Sequence, residues 1–226
     1  MGGPGGGAWH PCRVPERSLV LASASPARVG LLRAAGFTPE VMVSGVDEDG
    51  VEGLDAVETT TALARRKAAA VVDRLAAHAA NPADSIGTHD RALVLGCDSV
   101  LDIDGEIRGK PRSEAEATAW WRGYRDATGT LVTGHALVDA GSGDEVTAVA
   151  RTVVRFAAPS DAEIAAYVAT GEPLRVAGAF TLDGYGAPFV QRIDGDHGTV
   201  LGLSLPVLRA LFAKLGVAVT DLWSTP

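Results

Sequence analysis

Cysteine is scarce in this sequence: Cys12 and Cys97 are the only two among 226 residues. Two thiols do not make a disulfide framework in a chain of this length, so both are expected to be reduced and the protein cytoplasmic. No apolar run approaches membrane-spanning length, which argues against a membrane partner. The Gly/Pro-rich start, Met1 to Gly7, lacks the basic and apolar regions of a signal peptide. Gly2 opens a myristoylation pattern, but Gly6 stands where Ser or Thr is wanted. Positive charge is also short. The formal net charge of −8 argues against a general nucleic-acid binder, yet a few cations gathered in one place still suit a polyanionic ligand. The five histidines (His10, His78, His89, His135, His197) show no metal-ligand spacing, which argues against a zinc site. No Walker loop, no G-x-G-x-x-G after a strand and no nucleophile elbow occur.

What is present alternates strand and helix signals without internal repeat. Residues 1–17 are expected to be a flexible tail, residues 18–217 one domain, and residues 218–226 a C-terminal tail. Ser18 to Ala22 suits a buried strand, and Ser25-Pro26 supplies an N-cap with Pro at the first helical position of a helix stopping at Gly36. Glu40 to Ser44 reads as a second strand, followed by the acidic loop Asp47-Glu48-Asp49. Val57 to Ala79 is a long helix with an apolar stripe, and residues 77–91 have loop composition. Ala92 to Cys97 is an apolar strand bounded by Asp98, and Asp104-Gly105 marks a hairpin turn. Ser113 with Glu116 and Ser160 with Glu163 form capping boxes. Leu131 to Asp139 and Val146 to Phe156 look like an antiparallel pair, Phe189 to Ile193 a further strand, and Leu205 to Leu215 a closing helix. Hairpins and crossovers together predict α/β with a mixed sheet.

A few residues fit chemistry. At Ser23-Ala24-Ser25-Pro26-Ala27-Arg28 a strand runs into a capped helix, whose free N–H groups suit an anion; on spacing alone, a well-capped helix with a surface arginine is the better explanation of Arg28. Lys67 falls inside the apolar stripe, between Leu63 and Val71, so it either snorkels to the surface or points into a cleft. Asp98 ends an apolar run, where a carboxylate is costly without a cation or metal; the plainer alternative is an Asp that caps a turn, which fits Asp102 and Asp104 better. Lys110 stands between Gly109 and Pro111, presented from a stiff loop. Glu48, beside Asp98, is a candidate ligand for Mg²⁺ or Mn²⁺.

Together these segments resemble the Maf family, septum-formation proteins that act as nucleoside triphosphate pyrophosphatases. LASASPAR with Leu31-Leu32, VDE at Glu48, LARRKA at Lys67, GCDSV at Asp98 and GKP at Lys110 match its motifs in order, as do AGAFTLDGYG and GLSLP, from about Ser18 to Gly216. The resemblance implies an elongated α/β fold (Maf/ITPase-like) with two lobes around a deep substrate cleft, often dimeric. It implies a general base at Asp98, a divalent metal at Glu48 and Asp98, and Ser23, Arg28, Lys67 and Lys110 facing the triphosphate.

Three specificity positions depart from the family branch that acts on dTTP and UTP: Ala27 replaces an arginine, Ser99 a threonine and Asp183 a glutamine. A carboxylate at Asp183 accepts hydrogen bonds and favours an N–H-rich base edge, as in guanine or cytosine. The alternative to an enzyme is a non-enzymatic nucleotide-binding regulator of division, and a third reading is a hydrolase of another phosphoanhydride such as a nucleotide sugar.

Overall fold

A computed structural model describes residues 17–79 and 91–224. The expected tail up to residue 16, Cys12 within it, and residues 80–90 of the expected excursion lie outside the described residues. Ser25 caps α1 (Pro26–Ala34) by accepting from the Arg28 N–H. Before it runs β1 (Leu19–Leu21), and after it β2 (Glu40–Val41). Next comes α2 (Ala56–Ala79), whose first turn is held by Asp55 accepting from the N–H groups of Val57 and Glu58. The hairpin β3 (Leu93–Ile103) and β4 (Glu106–Arg108) turns through Asp104 and Gly105, both with positive φ, and Asp102 accepts from the Gly105 N–H as a turn-forming Asp does. There follow α3 (Glu114–Tyr124), β5 (Thr128–Asp139), β6 (Glu145–Phe156), α4 (Asp161–Ala169), β7 (Val190–Asp194), α5 (His197–Val200) and α6 (Leu205–Lys214). The reciprocal capping box is complete at Ser160 and Glu163. At α3, Ser113 caps Glu116, but the Glu116 carboxylate reaches back one residue further, to the Arg112 N–H.

The described strands form one seven-stranded mixed sheet in the order β2-β1-β3-β5-β6-β7, with β4 beside β3. β1 is parallel to β2 and to β3, and the remaining pairs are antiparallel. No described helix is long and apolar enough to cross a membrane.

Two expected boundaries are corrected. The second strand stops at Val41 because β1, its partner, offers only three residues to pair with. Residues 218–224 are no tail: Val219–Leu222 form a short 3₁₀ turn, Leu222 is buried, and Trp223 bridges to Phe37.

The core is divided along the sheet. Leu93, Leu95 and Cys97 of β3 pack with α1 and α6, including Leu32, Leu208 and Phe212. Val94 packs on the other face beneath Ala64, Ala68 and Val71 of α2. Further along the same strand, Leu101 and Ile103 enter a second lobe around Trp121, Tyr124, Phe156 and Phe180. The polar tips in that lobe are satisfied: the Trp121 indole N–H donates to the Ala179 carbonyl at 2.8 Å and the Tyr124 hydroxyl to the Gly178 carbonyl at 3.1 Å. Asp98 and Ser99 lie on β3 between these two lobes.

Close approach of α2 to the sheet sets the position of Lys67. A Cβ added at Gly96 would stand 2.1 Å from the Ala64 carbonyl oxygen, and one at Gly134 2.4 Å from that of Thr60. Both obstacles are helix backbone, so any side chain there lifts α2 off β3 and β5. The Gly96→Ala variant is therefore expected to lose about 3 kcal/mol, the upper range for overpacking. Chemical denaturation reads this directly; an unchanged midpoint would show that the helix tolerates the shift.

Candidate active site

Asp98 does not end its strand. β3 runs on for five residues beyond it, and Asp98 pairs with Gly134 in the middle of the ladder. Nearly every position of β3 is buried on both faces, so a hydrophobic run interrupted by one acid reads as a boundary where the backbone simply continues. The carboxylate is 7% exposed and has a cation for a partner: Lys67 Nζ lies 2.5 Å from its Oδ1. The same ammonium sits 2.7 Å from Oε1 of Glu48. Lys67 is 9% exposed, which decides between its two sequence readings: it points inward and bridges the two acids.

The acids differ in environment. Burial pushes the Asp98 carboxyl above its ordinary value; Lys67 and Arg28 oppose the shift only in part, and Glu48 adds to it. Burial also pushes Glu48 up, but Lys67, with Lys110 and Arg28 behind it, outweighs that and holds the group below its ordinary value. Glu48 is held in place by the outer side of α2. Arg66 donates to the carbonyls of Asp49 and Gly50 at 2.7 and 3.2 Å, and Arg74 to that of Val43 at 2.6 Å. Arg66 is exposed, yet it clamps the acidic loop.

Arg28 is fixed from three sides. Its Nη1 donates to Ser23 Oγ at 2.9 Å, Nη2 to Ser99 Oγ at 3.2 Å, and Nε to the Gly202 carbonyl at 2.7 Å. Three of the five guanidinium N–H groups are thus used and two are left for a ligand. Ser99 exchanges a hydrogen bond with Thr133, whose hydroxyl also bonds the Thr199 carbonyl at 2.9 Å. Ser99 therefore serves to seat Arg28. Ser23 accepts from Arg28 and from the Ser25 N–H, which leaves its hydroxyl hydrogen free to donate. In the first turn of α1, Pro26 has no N–H and Arg28 and Val29 are bonded to Ser25, so Ala27 supplies the uncommitted amide.

Lys110 is exposed and close enough to act on Glu48. Asp183 is exposed on the loop between Thr181 and Gly186, and no described hydrogen bond or ion pair joins it to Asp98, Lys67 or Arg28. Six of the seven predicted ligand-facing side chains, Ser23, Arg28, Glu48, Lys67, Asp98 and Lys110, are thus linked by bonds or by charge. Thr133, the Gly202 carbonyl and the Arg66 clamp were not found from sequence, because a hydroxyl, a carbonyl and a surface arginine carry no pattern of their own.

Cys97, next to this group, is no nucleophile. Burial pushes its thiol up to about 11, so it stays protonated at neutral pH. His135, fully buried on β5, accepts the Ser204 N–H on Nε2 at 2.9 Å and so holds the start of α6. Burial, with Arg28 nearby, lowers its pKa from 6.5 to about 4. The unfolded chain then binds the extra proton between these values, so stability falls as pH drops from about 6.5 toward 4, by up to about 3 kcal/mol. Urea midpoints across that range should show this loss, and a His135→Gln variant should lack it.

The family model for Maf-like proteins matches residues 18–215. The chain belongs to that family. A nucleoside triphosphate pyrophosphatase of Streptomyces coelicolor is 57% identical over 210 residues, covering 93% of this chain and 96% of its own. One of Salinispora tropica is 57% identical over 206 residues, 91% and 87% of the two chains. One of Cutibacterium acnes is 48% identical over 210 residues, 92% and 95%. The Maf match ends before Trp223, so the C-terminal turn packed on Phe37 lies outside it.

Proposed function

We propose that this protein is a hydrolase of nucleoside triphosphates, cleaving between the α- and β-phosphorus to give the monophosphate and pyrophosphate. The observation that carries it is the buried Asp98–Lys67–Glu48 group beside a three-point-fixed Arg28, in a chain similar over nearly its whole length to proteins named nucleoside triphosphate pyrophosphatases. A water attacks the α-phosphorus, the bond from that phosphorus to the bridging oxygen breaks, and pyrophosphate leaves with that oxygen. Asp98 takes the proton from the water. Its burial raises its basicity, which suits a proton acceptor. Arg28, Lys67 and Lys110 supply fixed positive charge for the phosphate oxygens, the main requirement of phosphoryl-type transfer. The Ser23 hydroxyl and the Ala27 amide add neutral donors.

Glu48 and Asp98 are the residues that would hold Mg²⁺ or Mn²⁺. Lys67 occupies one oxygen of each and the second oxygen of each has no described partner. Among the described residues no group of three or more His, Cys, Asp or Glu side chains forms a ready cage. Two carboxylates fit an ion that completes its shell with water and substrate phosphate, as Mg²⁺ commonly does. Such an ion, when bound, neutralises phosphate charge and polarises the scissile bond.

A purely nucleotide-binding regulator has less reason to bury an acid among phosphate-binding cations, because the acid repels the ligand. The test is pyrophosphate release from a panel of canonical and methylated triphosphates and a nucleotide sugar, with Mg²⁺, Mn²⁺ or EDTA. Metal-dependent release from triphosphates supports the enzyme. Tight binding without release from any of them points to the regulator. Within that panel, GTP or CTP is expected to exceed dTTP and UTP if Asp183 accepts from the base.

A further inference from the structure

The loop from Thr181 to Gly186 that carries Asp183 rests on one carboxylate, Glu172, just past α4. Its Oε1 accepts from the Tyr167 hydroxyl at 3.0 Å, the Thr181 hydroxyl at 2.6 Å and the Gly186 N–H at 3.1 Å, and its Oε2 accepts from the Tyr185 N–H at 3.0 Å. The loop lies flat on this group: a Cβ added at Gly184 would be 2.2 Å from Oε2. The upstream end of the same stretch is tied toward the phosphate side. The Gly178 N–H donates to the Gly109 carbonyl at 2.9 Å, next to Lys110. A Cβ at Gly178 would be 2.7 Å from that of Leu101, three residues along β3 from Asp98. Ala179, with φ of 57°, keeps an unusual backbone there while its carbonyl accepts from Trp121. Asp183 itself has no described bond, so its placement depends on the backbone beneath it.

We propose that Glu172 is a positioning residue for nucleobase selectivity, anchoring the loop so that Asp183 meets the base edge at a fixed place. This rests on the reading of Asp183 as the base contact. Two bonds to backbone N–H groups, one on each oxygen, make the carboxylate specific: the hydroxyls of Tyr167 and Thr181 can turn to accept, but an amide in either orientation sets its NH₂ against one of those N–H groups.

The experiment uses the Glu172→Gln and Asp183→Asn variants of the full chain and their double variant. It reads amide hydrogen exchange at Tyr185 and Gly186, and kcat/KM for GTP, CTP, UTP and dTTP. Glu172→Gln is expected to speed exchange at both amides and to shrink the spread in kcat/KM among the four bases by roughly tenfold. Asp183→Asn is expected to alter the same spread without changing exchange, and the double variant to be no worse than the more affected single one, since both act through one contact. Unchanged exchange in Glu172→Gln, or altered selectivity in Asp183→Asn alone, overturns the positioning role. Faster exchange with selectivity unmoved in both variants overturns it by a different route, removing Asp183 as the base contact. Should Glu172→Gln fail to fold, Tyr167→Phe and Thr181→Val each remove one donor, and smaller shifts in the same direction are expected; no shift in either overturns the proposal.

Discussion

Replacing Asp98 with Asn is expected to lower turnover by about 10²–10⁴-fold, the usual contribution of a general base. The substitution keeps the shape of the side chain and its bond-accepting oxygen within reach of Lys67, 2.5 Å from Oδ1 in the native protein. It removes the charge, the ability to take a proton and one of the two carboxylates that would hold the metal. Substrate binding should change little, because Arg28, Lys67 and Lys110 remain and one repelling acid is gone. Single-turnover kinetics and nucleotide binding, measured together, separate the two effects. A variant that turns over normally would remove Asp98 from the chemistry, and one that fails only through weakened binding would recast it as a structural partner of Lys67.

The second large effect is expected at Lys67. Its ammonium is the shared counter-ion of Glu48 and Asp98, and its side chain is 11% exposed, against 10% for Asp98 and 49% for Glu48. Lys67→Met keeps the stem and leaves Asp98 as a buried, uncompensated charge. Breaking a buried pair this way costs about 3–5 kcal/mol, with the lower end apt here because Glu48 is half open to water. The loss should depend on pH. Without Lys67 the folded Asp98 holds its proton to a higher pH than the unfolded chain does, so the folded form binds more protons and the deficit shrinks as pH falls. Turnover should also fall by about 10²–10³-fold, as for one lost charge-stabilising donor. Urea midpoints equal to the native protein's at every pH would mean that the ion pair contributes nothing to stability.

Much of this site was legible because its residues break local patterns. Lys67 interrupts an apolar helical stripe, and Asp98 interrupts an apolar strand; each violation has a physical cost that calls for a partner. The partner turned out to be the other, 31 positions away, an arrangement that strand and helix periodicities cannot place without knowing that Gly96 and Gly134 let α2 settle onto the sheet. Caps at Ser25 and Ser160 and the turn at Asp104-Gly105 were readable from adjacent residues, since their bonds are local. The continuation of β3 past Asp98 was not, because a strand covered on both faces shows no alternation to extend. The seat of Arg28 was hidden for a different reason: Ser99, Thr133 and Gly202 lie far apart in sequence, and a hydroxyl or a carbonyl is common everywhere. Glu172 carries no sequence pattern of its own, since its four donors come from Tyr167 behind it and a loop ahead of it. The packing of Leu222 and Trp223 was missed because the last helix signal ends at Gly216 and a short apolar segment beyond it resembles a tail.

Hydrolysis of a triphosphate substrate in ¹⁸O-labelled water tests the central claim most directly. Water guided by Asp98 onto the α-phosphorus places the label in the nucleoside monophosphate and leaves the pyrophosphate unlabelled, and that is the result expected. Label in the pyrophosphate, or release of orthophosphate in its place, would put the attack at another phosphorus and contradict the assigned chemistry.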